Sequence, residues 1–423
     1  LHNAGLKRIE DVSFLRNFQF AEDKGPTSHA VKPKEYVAID NFYTTTIYEK
    51  GAELVRMLQL LLGKERFMRG INVYIKTFDG KAATTDDFID SLIKGAYSDE
   101  IKPAFDVDKF NNWYYQRGTP KVYINQSWDV DNSILNVSLT QEVDSSETNN
   151  NIEMVIPILY SCYSSEKIGK TIVEEDLFVL DKKQKSLKIN GFPGDKKAPV
   201  LSIFRSFSAP VIWESDQSID DYLYLFLNEN DYFIRWEAGQ FLMRKIIKNR
   251  FKKQENHVLE VSFIDALKNS IQDLKINDPF FLATLLTIPG FSELESLFEK
   301  VDPINIYKES LNFQVSIGMQ ILQDLRILSK NVSLNVNQEW PMGRGERKLL
   351  ATIWSYLSLA GDNKVIKNCV DSISNSSMTI AKAALEALKS LDSSETEEAS
   401  NLFYNLWKDN PVVLDSWFAY EAS

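Results

Sequence analysis

This sequence contains little histidine and little cysteine. Its 423 residues include three histidines, His2, His29 and His257, and two cysteines, Cys162 and Cys369. A zinc site of the His-Glu-x-x-His type needs two histidines one helical turn apart, and none of the three has such a partner. The wide separation of the cysteines argues against a disulfide framework or a metal cluster and favours a reducing compartment. We therefore expect a cytoplasmic protein.

Net positive charge and long apolar runs are missing as well. The formal net charge is −11, whereas a nucleic-acid partner would need a basic face for its phosphates, so we expect none. No apolar run reaches the roughly eighteen residues that cross a bilayer, so we expect no transmembrane segment. The sequence does contain core material, because 44% of its residues are apolar and 12% are aromatic. That is enough for two or three domains.

The stretch from Asp40 to Gly63 (DNFYTTTIYEKGAELVRMLQLLLG) joins an aromatic, β-branched, strand-like segment to a predicted amphipathic helix, with Gly63 at its C-terminal end. Tyr43 and Tyr48 bracket three threonines, and Tyr48 stands directly before the predicted helix. A tyrosine hydroxyl stays protonated at neutral pH, because its pKa is about 10, and it can donate a hydrogen bond to an oxyanion. On spacing alone, a buried tyrosine with a satisfied hydroxyl is the commoner explanation.

The apolar periodicity changes twice along the chain. Residues 1–118 have helical spacing, with an N-terminal capping signal at Thr84-Thr85-Asp86-Asp87. Residues 119–212 contain short β-rich runs, with a polar hairpin loop at 144–151, and residues 213–423 return to helical spacing. We predict a multidomain, mainly α protein with a small β-sandwich at 119–212 and an α-solenoid at 213–423.

The predicted elements are as follows. The face of the first helix comprises Leu6, Ile9, Val12, Leu15 and Phe18. The strands are Lys121–Asn125, Ser133–Thr140, Met154–Tyr163, Ile172–Leu180, Leu187–Ile189 and Val200–Phe207. The solenoid helices are Ile219–Leu227, Tyr232–Arg250, Leu259–Leu274, Pro279–Thr287, Ser292–Lys300, Ile304–Ser329, Gly345–Leu359 and Thr379–Leu391.

Several segments resemble the zinc-dependent aminopeptidase N family (gluzincins of the alanyl aminopeptidase type). NFYTTTIYEKGAELVRM at 41–57 is similar to the end of that family's thermolysin-like catalytic domain. Other segments resemble family landmarks in the right order. They are FQFAED at 18–23, LLLG at 60–63, DGKAATTDDF at 79–88, WYYQRGTP at 113–120, FSAP at 207–210, RWEAGQ at 235–240 and TIPGFSELESLFEKVDP at 287–303.

The resemblance implies a metalloaminopeptidase that removes N-terminal amino acids from short peptides. It assigns Tyr48 to transition-state stabilisation, and it assigns Tyr43 and Asp40 to the pocket for the first side chain, although relatives commonly have Asn at position 40. It implies that residues 1–118 are the helical end of the catalytic domain and that the solenoid caps the active-site chamber. Glu49 and Lys50 share the motif but receive no role from their spacing. We expect a monomer.

The family's His-Glu-x-x-His motif, its third glutamate ligand and its Gly-x-Met-x-Asn loop are expected ahead of Leu1. The resemblance therefore predicts a fragment of the enzyme that is also truncated within its solenoid. The full-length protein would use Zn²⁺, whereas this chain alone would be zinc-free and inactive. Two alternatives stay open. One is a non-catalytic interaction scaffold, which has no physical need for the motif at 40–63. The other is a pseudoenzyme with degraded ligands.

Overall fold

The computed structural model of the protein describes residues 3–36, 38–97, 102–143, 152–167, 169–254, 257–274, 278–338 and 342–422. The loop predicted at 144–151 lies outside the described residues. The chain forms two compact units, Leu1–Arg235 and Trp236–Ser423, and each is described by itself below. The predicted division into domains at residues 118 and 212 stays a prediction.

The first unit begins with helices. They are α1 (Ala4–Phe14), α2 (Phe20–Lys24), α3 (Gly51–Leu62), α4 (Lys64–Phe78), α5 (Thr85–Ala96) and α6 (Val107–Tyr115). A π-helical turn, Leu15–Gln19, joins α1 to α2. Leu15 is buried as predicted. The wider turn rotates the residues that follow it around the helix axis, so Phe18 is 54% exposed and does not complete the apolar face. Thr84 forms the predicted N-cap, in a capping box with Asp87.

Helix α3 is the centre of this unit's core. Leu54, Leu58 and Leu62 recur at helical spacing and are buried, and Gly63 ends the helix with a positive φ of 77°. The predicted strand-like approach to this helix is wrong. Ile39–Phe42 is a 3₁₀ turn, and Thr46–Lys50 is a π-helical turn that runs directly into α3. β-branched threonines suggested a strand, but their hydroxyls bind a carboxylate in a helical turn, as described below.

A small β-sandwich follows. Its strands are β1 (Lys121–Asp129), β2 (Ile134–Glu142), β3 (Ile156–Tyr163), β4 (Thr171–Leu180), β5 (Gln184–Asn190), β6 (Val200–Ile203) and β7 (Ile212–Ser215). One sheet has the order β5-β2-β1-β7 and the other β4-β3-β6. The inner faces join the same hydrophobic core as α3, α5 and α6. Trp113 of α6 donates its indole N–H to the Val155 carbonyl at 2.8 Å, which fixes the helices to the sandwich.

Two strand predictions need correction. The run predicted as Val200–Phe207 is a strand only as far as Ile203, because Phe204 adopts the left-handed conformation with φ 59°. Residues from Trp213 onward were predicted to be helical, but Ile212–Ser215 forms the parallel edge strand β7 beside β1. Such a four-residue strand has too few alternations to stand out in a sequence. Helix α7 (Ile219–Asn228) then closes this unit, and α8 (Tyr232–Phe251) starts at its end.

The second unit is helical throughout its described part. Its further helices are α9 (His257–Leu274), α10 (Pro279–Leu286), α11 (Phe291–Glu295), α12 (Pro303–Gln320), α13 (Leu322–Ser333), α14 (Arg344–Leu359), α15 (Asn363–Asn375), α16 (Met378–Leu388), α17 (Ser394–Trp407) and α18 (Pro411–Glu421). Tyr356 of α14 donates its hydroxyl to the Leu286 carbonyl of α10 at 2.5 Å. A Cβ on Gly318 of α12 would lie 2.7 Å from the Tyr356 carbonyl, so these helices approach closely there.

Two predicted helices of this unit have different bounds. The run Ile304–Ser329 is two helices, because Ile321 leaves the helical conformation with φ −112° and ψ 25°. The nearest glycine, Gly318, lies three residues before Ile321, within α12. The run Ser292–Lys300 forms only the short α11. Ser296 donates its hydroxyl to the Glu293 carbonyl at 2.7 Å, and such local bonds compete with helix continuation.

Candidate active site

Tyr48 lies on the π-helical turn Thr46–Lys50, directly ahead of α3. Its side chain is 59% exposed, so the commoner explanation of a buried tyrosine with a satisfied hydroxyl does not apply here. The rings of Tyr48 and Tyr43 stack with centroids 6.2 Å apart and an angle of 26° between their planes. π-helical turns inside helices occur frequently at functional sites. The geometry presents a phenol to the surface from a structured turn.

The other two predicted site residues lie on the approach to that turn. Tyr43 is 61% exposed and follows the 3₁₀ turn that contains Asp40, which is also exposed. Phe42 packs edge-on against Tyr43, with ring centroids 6.1 Å apart, and Tyr36 packs edge-on against Phe42 at 5.7 Å. The structure therefore brings Tyr43 and Tyr48 together within an exposed aromatic row and places Asp40 on the turn before them.

Glu22 of α2 holds the N-terminal end of the π-helical turn. Its Oε2 accepts hydrogen bonds from Thr45 Oγ1 at 2.7 Å, the Thr46 amide at 2.8 Å and Thr46 Oγ1 at 2.7 Å. Burial raises the pKa of Glu22, but the hydrogen bonds from Thr46 and Thr45 outweigh it, so the pKa lies below its usual value. Glu22 is thus a carboxylate at neutral pH, and it satisfies one of the amides that a helix start leaves unpaired.

The next residue, Asp23, holds the other end of the same turn. Lys50 Nζ lies 3.1 Å from Asp23 Oδ2 and donates to the Gly118 carbonyl at 2.8 Å. Thr119 donates its hydroxyl to the same Asp23 oxygen at 2.8 Å. The Lys50 side chain is only 1% exposed, and desolvation lowers its pKa even though Asp23 acts in the opposite direction. The segment at 118–119 is thereby tied to the turn as well.

The residues described here do not fit a zinc site. Within that part of the chain, no three or more His, Cys, Asp and Glu side chains lie together as possible metal ligands. His29 Nδ1 contacts the carbonyl of its neighbour Ala30 at 2.8 Å, and His257 opens α9 in the second unit. Cys162 and Cys369 are both free and buried, and burial raises the pKa of each thiol to about 12.

Comparison with known proteins places this geometry in a family. The family model described as "Peptidase family M1 domain" matches residues 8–114. The "Domain of unknown function (DUF3458) Ig-like fold" matches 118–216, and the corresponding domain described as "ARM repeats" matches 219–423. Aminopeptidase N from Caulobacter vibrioides is 32% identical over 433 residues, which cover 100% of this chain and 48% of that protein. The chain belongs to the aminopeptidase N family.

Other members of the aminopeptidase N family match over the same length of this chain at similar identity. The enzymes from Escherichia coli and Haemophilus influenzae are 29% and 28% identical, over 100% and 99% of this chain and 48% of each relative. The chain thus spans about half the length of the curated relatives it matches. The crystal structure of Legionella pneumophila aminopeptidase A in complex with aspartic acid shares the fold, with a TM-score of 0.80, 24% identity and coverage of 93% of this chain and 45% of that one.

The predicted fold class is confirmed. The chain combines the helical peptidase part, a small sandwich that matches an Ig-like fold and a helical domain that matches ARM repeats. None of the helices in the described ranges is both long and apolar enough to cross a bilayer. Local spacing in the sequence does not indicate the residues that hold the turn of Tyr48. Glu22 and Asp23 lie within the landmark FQFAED, and Lys50 lies within the central motif, but no local spacing connects them.

Proposed function

We propose that the chain is part of a zinc metalloaminopeptidase that removes N-terminal amino acids from short peptides. The observation that carries the proposal is the exposed phenol of Tyr48, presented from the π-helical turn ahead of α3 in a chain of the aminopeptidase N family. The family's zinc would be held by polypeptide outside these 423 residues and would supply Lewis-acid chemistry.

Tyr48 would act as a hydrogen-bond donor to the oxyanion of the tetrahedral adduct. A tyrosine hydroxyl carries a hydrogen-bond donor, and the Tyr48 side chain is exposed. A donor placed where negative charge develops stabilises the transition state more than the ground state. Tyr48 would therefore affect turnover and leave substrate affinity largely unchanged.

Tyr43 and Asp40 would line the pocket for the first side chain of the peptide. The ring of Tyr43 stacks on that of Tyr48, so a residue held against Tyr43 would lie beside the reacting carbonyl. Asp40 is exposed on the neighbouring turn and could accept hydrogen bonds, although relatives commonly carry Asn there. The cytoplasmic location and the monomeric state stay predictions.

The test is Tyr48→Phe in the complete protein, meaning the aminopeptidase that contains this chain together with the family's metal site. Removing one oxyanion donor should lower kcat by roughly 10²–10³, with KM and zinc content nearly unchanged. Hydrolysis of an amino-acid arylamide and metal analysis would measure these quantities. Tyr307→Phe, which changes an exposed tyrosine of α12 in the same way, is the matched control. Turnover that survives in Tyr48→Phe would contradict the assignment of Tyr48 as the oxyanion donor, whereas absence of turnover in the unsubstituted complete protein would favour a scaffold or pseudoenzyme.

A further inference from the structure

Two adjacent acidic residues hold the two ends of one helical turn. Glu22 accepts three hydrogen bonds at the N-terminal end of Thr46–Lys50, from Thr45 and Thr46. Asp23 pairs with Lys50 at its C-terminal end. Tyr48 lies midway between them, and its own side chain is exposed. These contacts therefore fix the turn that carries Tyr48 without covering its phenol ring.

A π-helical turn needs such support. The π-helix is rare and occurs mostly as single turns within α-helices. Helix α3 is fixed by its buried leucines. A π-helical turn accommodates one more residue than an α-helical turn, because its hydrogen bonds join residues five apart and not four. If the turn relaxed into a regular α-helix continuous with α3, that extra residue would no longer be accommodated. Residues ahead of that point would then rotate by about 100° around the axis, the angle that each residue of an α-helix adds. The hydroxyl of Tyr48 would point elsewhere.

The contacts are of the kind that resists this relaxation. The Asp23–Lys50 pair is almost fully buried, and Thr119 and the Gly118 carbonyl add one hydrogen bond to each partner. Gln19 adds a donor, with its Nε2 3.3 Å from Thr46 Oγ1. A buried pair of this kind specifies one arrangement, because separating it would leave an uncompensated charge.

We propose that Glu22 and Asp23 are positioning residues, which hold the turn Thr46–Lys50 so that the Tyr48 hydroxyl faces the tetrahedral adduct. This inference rests on the proposed function, because it gives Tyr48 its task. Glu22 and Asp23 themselves need not touch substrate. They act through the backbone of the turn, so their effect on catalysis should depend on the presence of the Tyr48 hydroxyl.

The kinetic test uses Glu22→Leu and Glu22→Gln in the complete protein. Glu22→Leu removes the acceptor and should lower kcat by roughly 10²-fold, since a misplacement of about 1 Å can cost that much, while KM stays nearly constant. Glu22→Gln keeps one acceptor oxygen for the threonines and should recover much of the loss. Glu65→Gln, at an exposed carboxylate on the first turn of α4, is the control and should leave kcat unchanged.

A double-mutant cycle separates positioning from a general structural effect. In the Tyr48→Phe background, Glu22→Leu should change kcat by less than about twofold, because the group it positions is already gone. An equal loss in both backgrounds would overturn the proposal. The paired variant Asp23→Leu with Lys50→Met removes both buried charges together and so avoids an unpaired cation. Its loss of kcat should likewise depend on the presence of the Tyr48 hydroxyl. This paired variant replaces Glu22→Leu in the cycle if Glu22→Leu does not fold.

Hydrogen exchange in the same protein tests the geometry without reference to activity. The Tyr48 amide bonds to the Thr44 carbonyl, and the Ile47 amide to Thr44 Oγ1. In Glu22→Leu, the amides of 46–50 should exchange at least about tenfold faster while those of 54–62 in α3 keep their rates. Unchanged exchange at 46–50 would overturn the positioning role. If Tyr48→Phe alone kept full turnover, the proposed role of Tyr48 would fail, but the exchange result would still decide whether Glu22 holds the turn.

Discussion

Glu22 combines partial burial with three hydrogen bonds to one carboxylate oxygen. Burial favours the neutral acid, whereas donors from Thr46 and Thr45 favour the carboxylate, and the donors prevail because the pKa is lowered. A residue with a lower pKa in the folded state than in the unfolded state stabilises the fold only while it is ionised.

This predicts a pH dependence of stability. The unfolded chain binds more protons than the folded one between the lowered folded pKa of Glu22 and its unfolded value near 4.5, so stability rises with pH through that interval. The contribution is complete above the unfolded value and disappears as pH falls through the folded one. The difference in free energy of unfolding between the native chain and Glu22→Gln should therefore shrink as the pH falls below the unfolded value of Glu22. Urea unfolding at a series of pH values measures it.

A companion variant checks the cause. Thr45→Val with Thr46→Val keeps the carboxylate but removes two hydroxyl donors, so the pKa of Glu22 should move upward toward its ordinary value. The pH dependence should weaken in the same interval. A difference between the native chain and Glu22→Gln that stayed constant across the series would show that the hydrogen bonds do not lower the pKa of Glu22 in the folded state.

The resemblance to the family predicts Tyr48, Tyr43 and Asp40 as site residues from the sequence. It could not supply Glu22, Asp23 and Lys50 as a set. Glu22 and Thr46 are 24 residues apart, and Asp23 and Lys50 are 27 apart, so neither pair shares a helix face or a strand register. Such contacts depend on how α2 packs beside the turn, which periodicity does not encode.

Among the elements, the turn after β6 departs most from regular conformation. Phe204, Ser206 and Phe207 have φ values of 59°, 51° and 52°, a region that costs non-glycine residues about 1–3 kcal/mol each. Hydrogen bonds from two arginines offset this conformational cost. Arg8 donates to the carbonyls of Ser206 at 2.9 Å and Phe207 at 3.0 Å, and Arg56 donates to the same two carbonyls at 2.8 and 3.0 Å.

We expect the two arginines to differ in their effect on stability. Arg8 also forms a buried bidentate pair with Glu53, so Arg8→Met should destabilise by about 3–5 kcal/mol by leaving that carboxylate unpaired. Arg56→Met removes hydrogen bonds to carbonyls that Arg8 still serves, and should cost about 1–3 kcal/mol. Chemical unfolding midpoints measure both effects.

The shared carbonyls provide the control. The double variant Arg8→Met with Arg56→Met should cost more than the sum of the single variants, because the second change leaves both carbonyls without an arginine. Arg8→Met with Glu53→Met should recover part of the loss. Equal costs for the two single variants would mean that the Glu53 pair contributes little.

Regular elements were the easier part of the prediction. Helix α3, the Thr84 capping box and strands β1 to β5 follow from spacing and cap chemistry, because each is a local pattern of several residues. The irregular ones did not follow. A π-helical turn, a run of left-handed residues and a four-residue parallel strand are stabilised by distant partners, such as Arg8 for Ser206 and β1 for β7.

For the whole molecule, the chain joins a peptidase part, a sandwich and a helical array. The first unit carries Tyr48 and the residues that hold it. A zinc site of the His-Glu-x-x-His type uses two histidines one helical turn apart, an arrangement that fixes both nitrogens on one side of a helix. His2, His29 and His257 do not have that spacing, so under the proposed function the metal ligands would lie on other polypeptide of the complete protein, separate from Tyr48.

This separation predicts the behaviour of the 423-residue chain alone. It should bind no stoichiometric zinc and cleave no amino-acid arylamide, because Tyr48 can stabilise an oxyanion only where another group has generated one. Elemental analysis after dialysis against zinc and a chelator-buffered competition assay would measure binding, and arylamide hydrolysis would measure activity. His29→Ala and His257→Ala should change neither result. One tight zinc per chain, lost in either histidine variant, would place a metal centre within these residues and require a different mechanism.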